Sequence, residues 1–225
     1  IVMPTGEGSL GRSMEFRFPV RLPGRYVRLE PLSLDHLGEL TDAGDDPGIW
    51  TYVRSGSHRG KEPMQRWISE LLERAAAGTD LPFAVRHLGS DRAIGMTRFL
   101  NIRREDGCVE VGGSWYAPRF WRTAVNTESK YLLLRHAFEA EACHRVEFKT
   151  DLRNERSQRA IARLGAVPEG TLREHLRLPD GHFRSSVYYG LLASEWPGVR
   201  ARLESYLADD ATAADRHPRL TGPIP

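Results

Sequence analysis

Cysteine is scarce in this sequence: among 225 residues, only Cys108 and Cys143 occur. Neither has partners at the spacing of a metal site, and the eight histidines include no H-E-x-x-H pattern. The sequence therefore predicts neither a metal site nor a disulfide framework. Two cysteines in a chain of this length favour a reducing compartment, which we take to be the cytoplasm.

Charge of predominantly one sign is also missing. Lys and Arg number 32 against 30 for Asp and Glu, and the two signs are interleaved without a polybasic arm. Nucleic-acid or membrane binding is therefore not expected as the main role. No run approaches the ~18 apolar residues of a membrane helix, and no signal-peptide pattern is visible.

The length predicts one domain with tails, large enough to bury a full core without stabilising disulfides or metal ions. Residues 1–13 are rich in glycine and serine, and we expect a disordered or expression-derived lead there. Residues 14–208 are expected to form the domain. Residues 209–225 are polar, contain three prolines and are expected to form a flexible tail.

Hydrophobic periodicity predicts the element order β α α β β β α β α β β α. This order is typical of a mixed α/β fold, with a mostly antiparallel sheet flanked by helices. The segment at 45–61 interrupts the pattern, and we expect it to line a binding site. Its Trp50, Tyr52, Arg54, His58 and Arg59 favour a peptide or an anionic ligand over a polycation.

A strand and the helix after it carry the first signs of a ligand site. Gly112 and Gly113 leave bare backbone, which suits a bulge or a closely approaching ligand; a packing kink explains them equally well. The helix predicted to start near Asn126 offers free N–H groups that can bind phosphate, with Arg122 just before it. An ordinary helix capped by Asn126 or Thr127 is the alternative.

Two strings in this region, GGSWYAPRFWRTAVNTESKYLLLRHAFE and TDLRNERSQRAIARLGAVPEGTLR, resemble the GNAT N-acetyltransferases. The closest likeness is to the Rim-type branch, which includes ribosomal-protein N-terminal acetyltransferases. The resemblance covers roughly residues 25–206. It implies a GNAT fold with a splayed central strand, acetyl-CoA as cosubstrate and no metal.

The family's acetyl-CoA loop, Q/R-x-x-G-x-G/A, falls on residues 121–126. Ala124 and Asn126 stand where glycine-type residues are usual, and Trp121 replaces a polar residue. The family's N-x-x-S pattern is matched by Asn154 and Ser157. By resemblance, the residues expected at the cofactor are Trp115, Tyr116, Arg122, Thr123, Ala124, Val125, Asn126, Thr127, Asn154 and Ser157.

The implied reaction needs a base, because an amine acceptor is mostly protonated at neutral pH. Glu110, on the splayed strand, is the first candidate; Glu174, His175 or water are alternatives. An N–H group near Trp115 is expected to stabilise the oxyanion. The resemblance makes Ser157 the acid for the leaving thiolate. A surface carboxylate and a simple helix serine are the structural alternatives for Glu110 and Ser157.

The sequence thus predicts an acetyl-CoA-dependent N-acetyltransferase that acts directly on an amine, either a protein N-terminus or a small molecule. The altered loop at Ala124 and Asn126 keeps open an alternative, a catalytically inactive CoA-binding module for regulation or assembly. A homodimer is a further expectation.

Overall fold

The computed structural model describes Met14, Phe16 and residues 18–214, with side chains up to residue 209. The predicted lead at residues 1–13 and the part of the predicted tail beyond 214 lie outside these residues.

An eight-stranded sheet runs through the domain. Its strands are β1 Leu22–Pro23, β2 Val27–Pro31, β3 Leu81–His87, β4 Arg92–Arg103, β5 Cys108–Tyr116, β6 Arg145–Asp151, β7 Val167–Arg177 and β8 Phe183–Leu192. Their spatial order is β1-β2-β3-β4-β5-β6-β8-β7. Every neighbouring pair is antiparallel except β5 and β6. The predicted mixed, mostly antiparallel sheet is therefore confirmed.

Helices cover both faces of this sheet. They are α1 Leu37–Ala43, α2 Lys61–Ala76, α3 Ala124–Arg135, α4 Glu155–Leu164 and α5 Trp196–Ala214. Apart from the short β1, the element order is the predicted one. Helix α5 extends past residue 208, the predicted end of the domain, because the alanines near its end are strong helix formers.

The prediction that the central helix starts near Asn126, capped by Asn126 or Thr127, was wrong. Helix α3 begins at Ala124, because the Thr123 hydroxyl accepts a hydrogen bond from the Val125 N–H at 3.3 Å and occupies the N-cap. A π-helical turn at His136–Ala140 follows the helix. The free N–H groups therefore lie two residues earlier than expected.

Two apolar cores lie on opposite faces of the sheet. The larger one contains Phe83, Phe99, Leu133 and Phe148 and includes buried side chains of α3 and α5. The smaller one, around Trp67, includes side chains of α1 and α2. Strand β5 supplies side chains to both cores, as the period of two of a β-strand requires. The sheet therefore presents β5 between two packed layers.

Candidate active site

Strands β5 and β6 separate in the middle of the sheet. They pair at only three positions, Cys108 with Arg145, Val109 with Val146 and Glu110 with Glu147. Beyond Glu110, β5 continues to Tyr116 without pairing to β6. Since the two strands are parallel, the opening lies at their carboxyl ends, where ligands of α/β sheets commonly bind. We call this opening the split; it matches the splayed strand that the sequence predicted.

A bulge at Gly113 accompanies the separation. The register between β4 and β5 shifts between Met96 and Arg98, and Gly113 has a φ of 58°. A Cβ there would lie 2.9 Å from Arg98 Nε. Both the left-handed backbone and the close guanidinium therefore favour glycine. At Gly112, a Cβ would lie 3.3 Å from Glu110 Oε1, so the missing side chain leaves that oxygen uncovered.

Two helices begin at the open end of the split. Helix α3 follows β5 and α4 follows β6. In the first turn of α3, Thr123 accepts from Val125, while the N–H groups of Ala124 and Asn126 have no acceptor within the helix. Arg122 is exposed, with a φ of 62°. The start of α3 thus offers amides and a positive dipole end to an anion.

The side chains of the predicted cofactor loop divide into two groups. Ala124, Val125 and Thr127 are buried, and the Thr127 hydroxyl accepts a hydrogen bond from Arg163 Nη2 at 2.8 Å. These residues can reach a ligand only through their backbone. Thr123 is exposed and Asn126 half-buried, so their side chains remain accessible. Because an anion at a helix start is bound through backbone amides, alanine at position 124 does not obstruct such a site.

An aromatic residue fixes the loop before α3. Trp121 Nε1 donates to the Tyr116 carbonyl at 2.8 Å, and the Arg156 guanidinium lies 3.7 Å from the centre of the Trp121 ring. Arg156 belongs to the first turn of α4, so this cation–π contact joins the starts of the two helices. Nothing in the local sequence pattern pairs Arg156 with Trp121, so this contact could not be predicted.

Trp115 and Tyr116 are buried and belong to different cores. Trp115 packs against Trp50 and Trp67, at centroid distances of 5.2 and 6.3 Å. Tyr116 belongs to the larger core, where burial raises the pKa of its hydroxyl. Only the main chain of these two residues can therefore line the split. That remains compatible with the predicted oxyanion role of an N–H group near Trp115.

Asn154 caps helix α4. Its Oδ1 accepts from the Ser157 N–H at 3.1 Å, which leaves the Nδ2 amide able to donate elsewhere. Ser157 lies in the first turn and is half-buried. Within the described part of the chain its hydroxyl makes no hydrogen bond, so it is free to act on a ligand.

Glu110 lies at the last paired position before the split and is only 4% exposed. Its Oε2 accepts from Asn101 Nδ2 at 2.6 Å and from Lys149 Nζ at 2.9 Å. Among the described residues no donor contacts Oε1, which remains available to accept a proton. The alternative of a carboxylate on the protein surface is therefore wrong, because two neighbouring strands enclose this side chain.

The other candidate bases differ in their surroundings. Glu174 is exposed, with a φ of 47°. His175 is half-buried against Tyr188, and desolvation together with Arg184, Lys149 and Arg54 lowers the pKa of His175. Its Nε2 is buried and has no hydrogen-bond partner among the described residues. His175 thus stays a reasonable alternative base, whereas Glu174 has no comparable environment.

A buried lysine lies beside the bulge and was not predicted from the sequence. Lys130, on α3, donates to Thr97 Oγ1 at 3.2 Å and to the Ser114 hydroxyl. Burial lowers the pKa of Lys130 to about 7. It carries no ion pair within the described residues. A lysine inside an otherwise apolar helix pattern gives no local signal that it will be enclosed.

The segment at 45–61 is partly core. Trp50 and His58 are buried, and His58 stacks on Trp67 at a centroid distance of 4.0 Å. Desolvation lowers the pKa of His58 to about 4, so it is neutral at physiological pH. Arg54 is exposed and Tyr52 half-buried. Of the residues expected to line a site, the structure therefore assigns Trp50 and His58 to packing.

Another cleft, of about 550 Å³, lies at the β2 side of the sheet and includes Glu30, His36 and Arg86. Its charges are mutually compensated. Burial of Glu30 is outweighed by hydrogen bonds from Arg86, Arg28 and His36, which lower the pKa of Glu30 to about 2. We therefore place the candidate site at the split, where helix starts and an accessible carboxylate oxygen coincide.

The described residues include no cluster of three or more His, Cys, Asp or Glu side chains suited to a metal. No described helix has the length and apolarity needed to cross a membrane.

The fold has close counterparts among solved structures. A GCN5-related N-acetyltransferase from Brucella melitensis superposes with a TM-score of 0.81 at 26% identity, covering 87% of this chain and 89% of the other. A T. thermophilus structure described as a "putative acetyltransferase" gives a TM-score of 0.78 at 42% identity, covering 86% of this chain and all of the other. The sheet with its split therefore defines a GNAT-type acetyltransferase fold.

Sequence comparison leads to the same family. The Acetyltransferase (GNAT) domain matches residues 27–167. The Bacillus subtilis (strain 168) protein named "Putative ribosomal N-acetyltransferase YdaF" is 32% identical over 173 residues, covering 76% of this chain and 92% of that protein. The chain belongs to the GNAT acetyltransferase family.

Proposed function

We propose that this protein is an N-acetyltransferase that uses acetyl-CoA and transfers the acetyl group directly to an amine, without an acyl-enzyme. One observation carries the proposal. Strands β5 and β6 separate immediately after Glu110, and α3 and α4 begin at the open end. The separation provides a bare strand edge, amides for phosphate and a carboxylate in one place.

Acetyl-CoA would be held mainly by backbone groups. The amides of Ala124 and Asn126, with Arg122, suit the pyrophosphate. The unpaired edge of β5 near Trp115 suits the extended pantetheine arm, which would add to the strand as a peptide does. The free Nδ2 of Asn154 can donate to the same arm.

The chemistry follows from the surrounding groups. The amine nitrogen attacks the thioester carbonyl carbon, a C–N bond forms, and the C–S bond breaks after a tetrahedral intermediate. Glu110 Oε1 takes the amine proton, directly or through water. An N–H group near Trp115 stabilises the oxyanion. The leaving thiolate takes a proton from the Ser157 hydroxyl, which solvent then replenishes.

The proposed acceptor is a protein N-terminus, because the Bacillus subtilis relative is named "Putative ribosomal N-acetyltransferase YdaF". A small amine is the competing acceptor. The cytoplasmic location and the homodimer stay predictions.

The test measures free thiol released from acetyl-CoA in the presence of N-terminal peptides and small amines, alongside calorimetric titration with CoA. The proposal expects saturable CoA binding and acceptor-dependent thiol release. CoA binding without release for any acceptor would instead support the inactive CoA-binding module. An absence of CoA binding would reject both readings.

A further inference from the structure

Arg184 is a buried cation. It lies on β8, and the residue is only 6% exposed. Its Nε donates to Ser186 Oγ at 2.8 Å. Among the described residues, no carboxylate lies within ion-pair distance of the guanidinium. The two Nη groups make no hydrogen bond among the described residues, so they are available to an anion from outside the chain, which would compensate the charge.

The nearby carboxylates are already engaged. Asp151 and Glu110 both act electrostatically on Arg184. However, Asp151 pairs with Arg153 at 2.9 Å, and Glu110 pairs with Lys149 at the same distance. Neither is therefore the missing partner of Arg184.

Arg184 faces the same side of the sheet as Glu110. In the β6–β8 ladder, Lys149 lies opposite Tyr188 and Asp151 opposite Ser186. Side chains at alternate positions share a face. Arg184 and Ser186 therefore share a face with Tyr188, Lys149 and, through the β5–β6 pairing, Glu110.

Further positive or uncompensated groups surround Arg184. His175 and Arg54 both lie close enough to affect titration in this cluster. The segment at 45–61 approaches the turn between β7 and β8, since a Cβ on Gly56 would lie 3.5 Å from Pro179. A cleft of about 390 Å³ at this turn is lined in part by Arg54 and Arg177. Among the described residues, neither of these two arginines has an ion pair.

We propose that the acceptor carries a carboxylate and that Arg184, assisted by Arg54, binds it while the acceptor amine lies at Glu110. This rests on the proposed acetyl transfer and assigns a substrate class to the same site. Because a guanidinium binds a carboxylate through two parallel hydrogen bonds, Arg184 would select for charge and orient the acceptor.

The separation of the two groups allows a peptide as the acceptor. Glu110 pairs with Glu147, which lies opposite Gly190. Arg184 precedes Gly190 by six residues, a backbone distance on the order of 20 Å along a strand. The Arg184 and Glu110 side chains both extend into this span, and their charges interact. Because the proposed acceptor is a protein N-terminus, we assign the carboxylate to an acidic side chain near a peptide N-terminus, with free aspartate as the competing ligand.

The experiment uses two isosteric peptides, Ser-Glu-Glu-Ala amide and Ser-Gln-Gln-Ala amide, with free aspartate as the small-molecule arm. Binding to the full chain saturated with CoA is measured by calorimetry, and kcat/KM by thiol release. The variants are Arg184→Gln, Arg184→Lys and, as a control for lost charge at an exposed distant position, Arg104→Gln. We expect wild type to prefer the acidic peptide by roughly 10- to 100-fold, the factor typical of a hydrogen bond to a charged group.

Arg184→Gln should reduce that preference to nearly one, Arg184→Lys should keep part of it, and Arg104→Gln should leave it unchanged. Equal binding of the two peptides, no binding of either, or a preference that persists in Arg184→Gln would overturn the inference. A stronger response to aspartate would overturn the peptide assignment. Thiol release without a preference for the acidic peptide would support acetyl transfer and reject only the proposed carboxylate site. Preferential binding of the acidic peptide without release supports the anion site and rejects acetyl transfer.

Discussion

Replacing Lys130 with methionine should make the protein's stability less dependent on pH. Lys130 is enclosed between α3 and the bulged strand, and it donates to Thr97 and Ser114 without an ion pair among the described residues. Burial lowers its pKa from 10.5 to about 7. Methionine has a similar length and carries no charge to desolvate, and Thr97 and Ser114 can still bond each other across 2.7 Å.

The direction of this pH effect follows from the number of protons that the folded and unfolded states bind. Between pH 7 and 10.5 the folded chain holds Lys130 mostly neutral, whereas the unfolded chain holds it charged. Unfolding therefore takes up a proton, and stability rises with pH in this window. At 1.36 kcal/mol for each pKa unit, the complete shift corresponds to about 5 kcal/mol. Of this destabilisation, about 2 kcal/mol is relieved as the pH rises from 7.5 to 9.0.

The assay is urea denaturation of wild type and Lys130→Met at several values between pH 7.5 and 9.0. The difference in free energy of unfolding, wild type minus variant, should increase by about 2 kcal/mol from pH 7.5 to pH 9.0. Taking the difference cancels the other groups that titrate there. Lys61→Met, at an exposed position, is the matched control and should give a profile parallel to wild type. Parallel profiles for Lys130→Met would refute a neutral buried amine.

Three further changes test the catalytic assignments. Glu110→Gln keeps the shape of the side chain but cannot accept a proton, so kcat should fall by roughly 10²–10⁴. The loss should be smaller at high pH, and the affinity for CoA should not change. An equal loss at every pH would indicate that Glu110 only positions the acceptor. Ser157→Ala should lower kcat more than it changes the KM for acetyl-CoA, and wild-type values of both would reduce Ser157 to a helix residue. Arg122→Asn removes the charge while tolerating the left-handed backbone at this position. It should weaken CoA binding roughly 10-fold in calorimetry, and unchanged affinity would exclude Arg122 from the pyrophosphate site.

Local patterns in the sequence were sufficient for the elements and their order. Hydrophobic periodicity is a property of neighbouring residues, so it identified the helices and strands without reference to the rest of the fold. Gly112 and Gly113 likewise allowed a bulge to be expected, because glycine adopts the left-handed conformation found at Gly113 most readily. The two family strings added that two helix starts flank the split, although α3 begins two residues before the predicted start.

Contacts between distant residues decided what those elements do. Lys149 and Asn101 enclose Glu110, Arg156 covers Trp121, and no local spacing relates either set. The sequence also assigned Trp50 and His58 to a site, but tertiary packing placed both in a core. Whether a polar side chain is solvated, paired or enclosed without a partner depends on which strands and helices meet around it. For Lys130 and Arg184, only the assembled sheet determined that each is a buried cation, because burial and pairing are set by long-range packing.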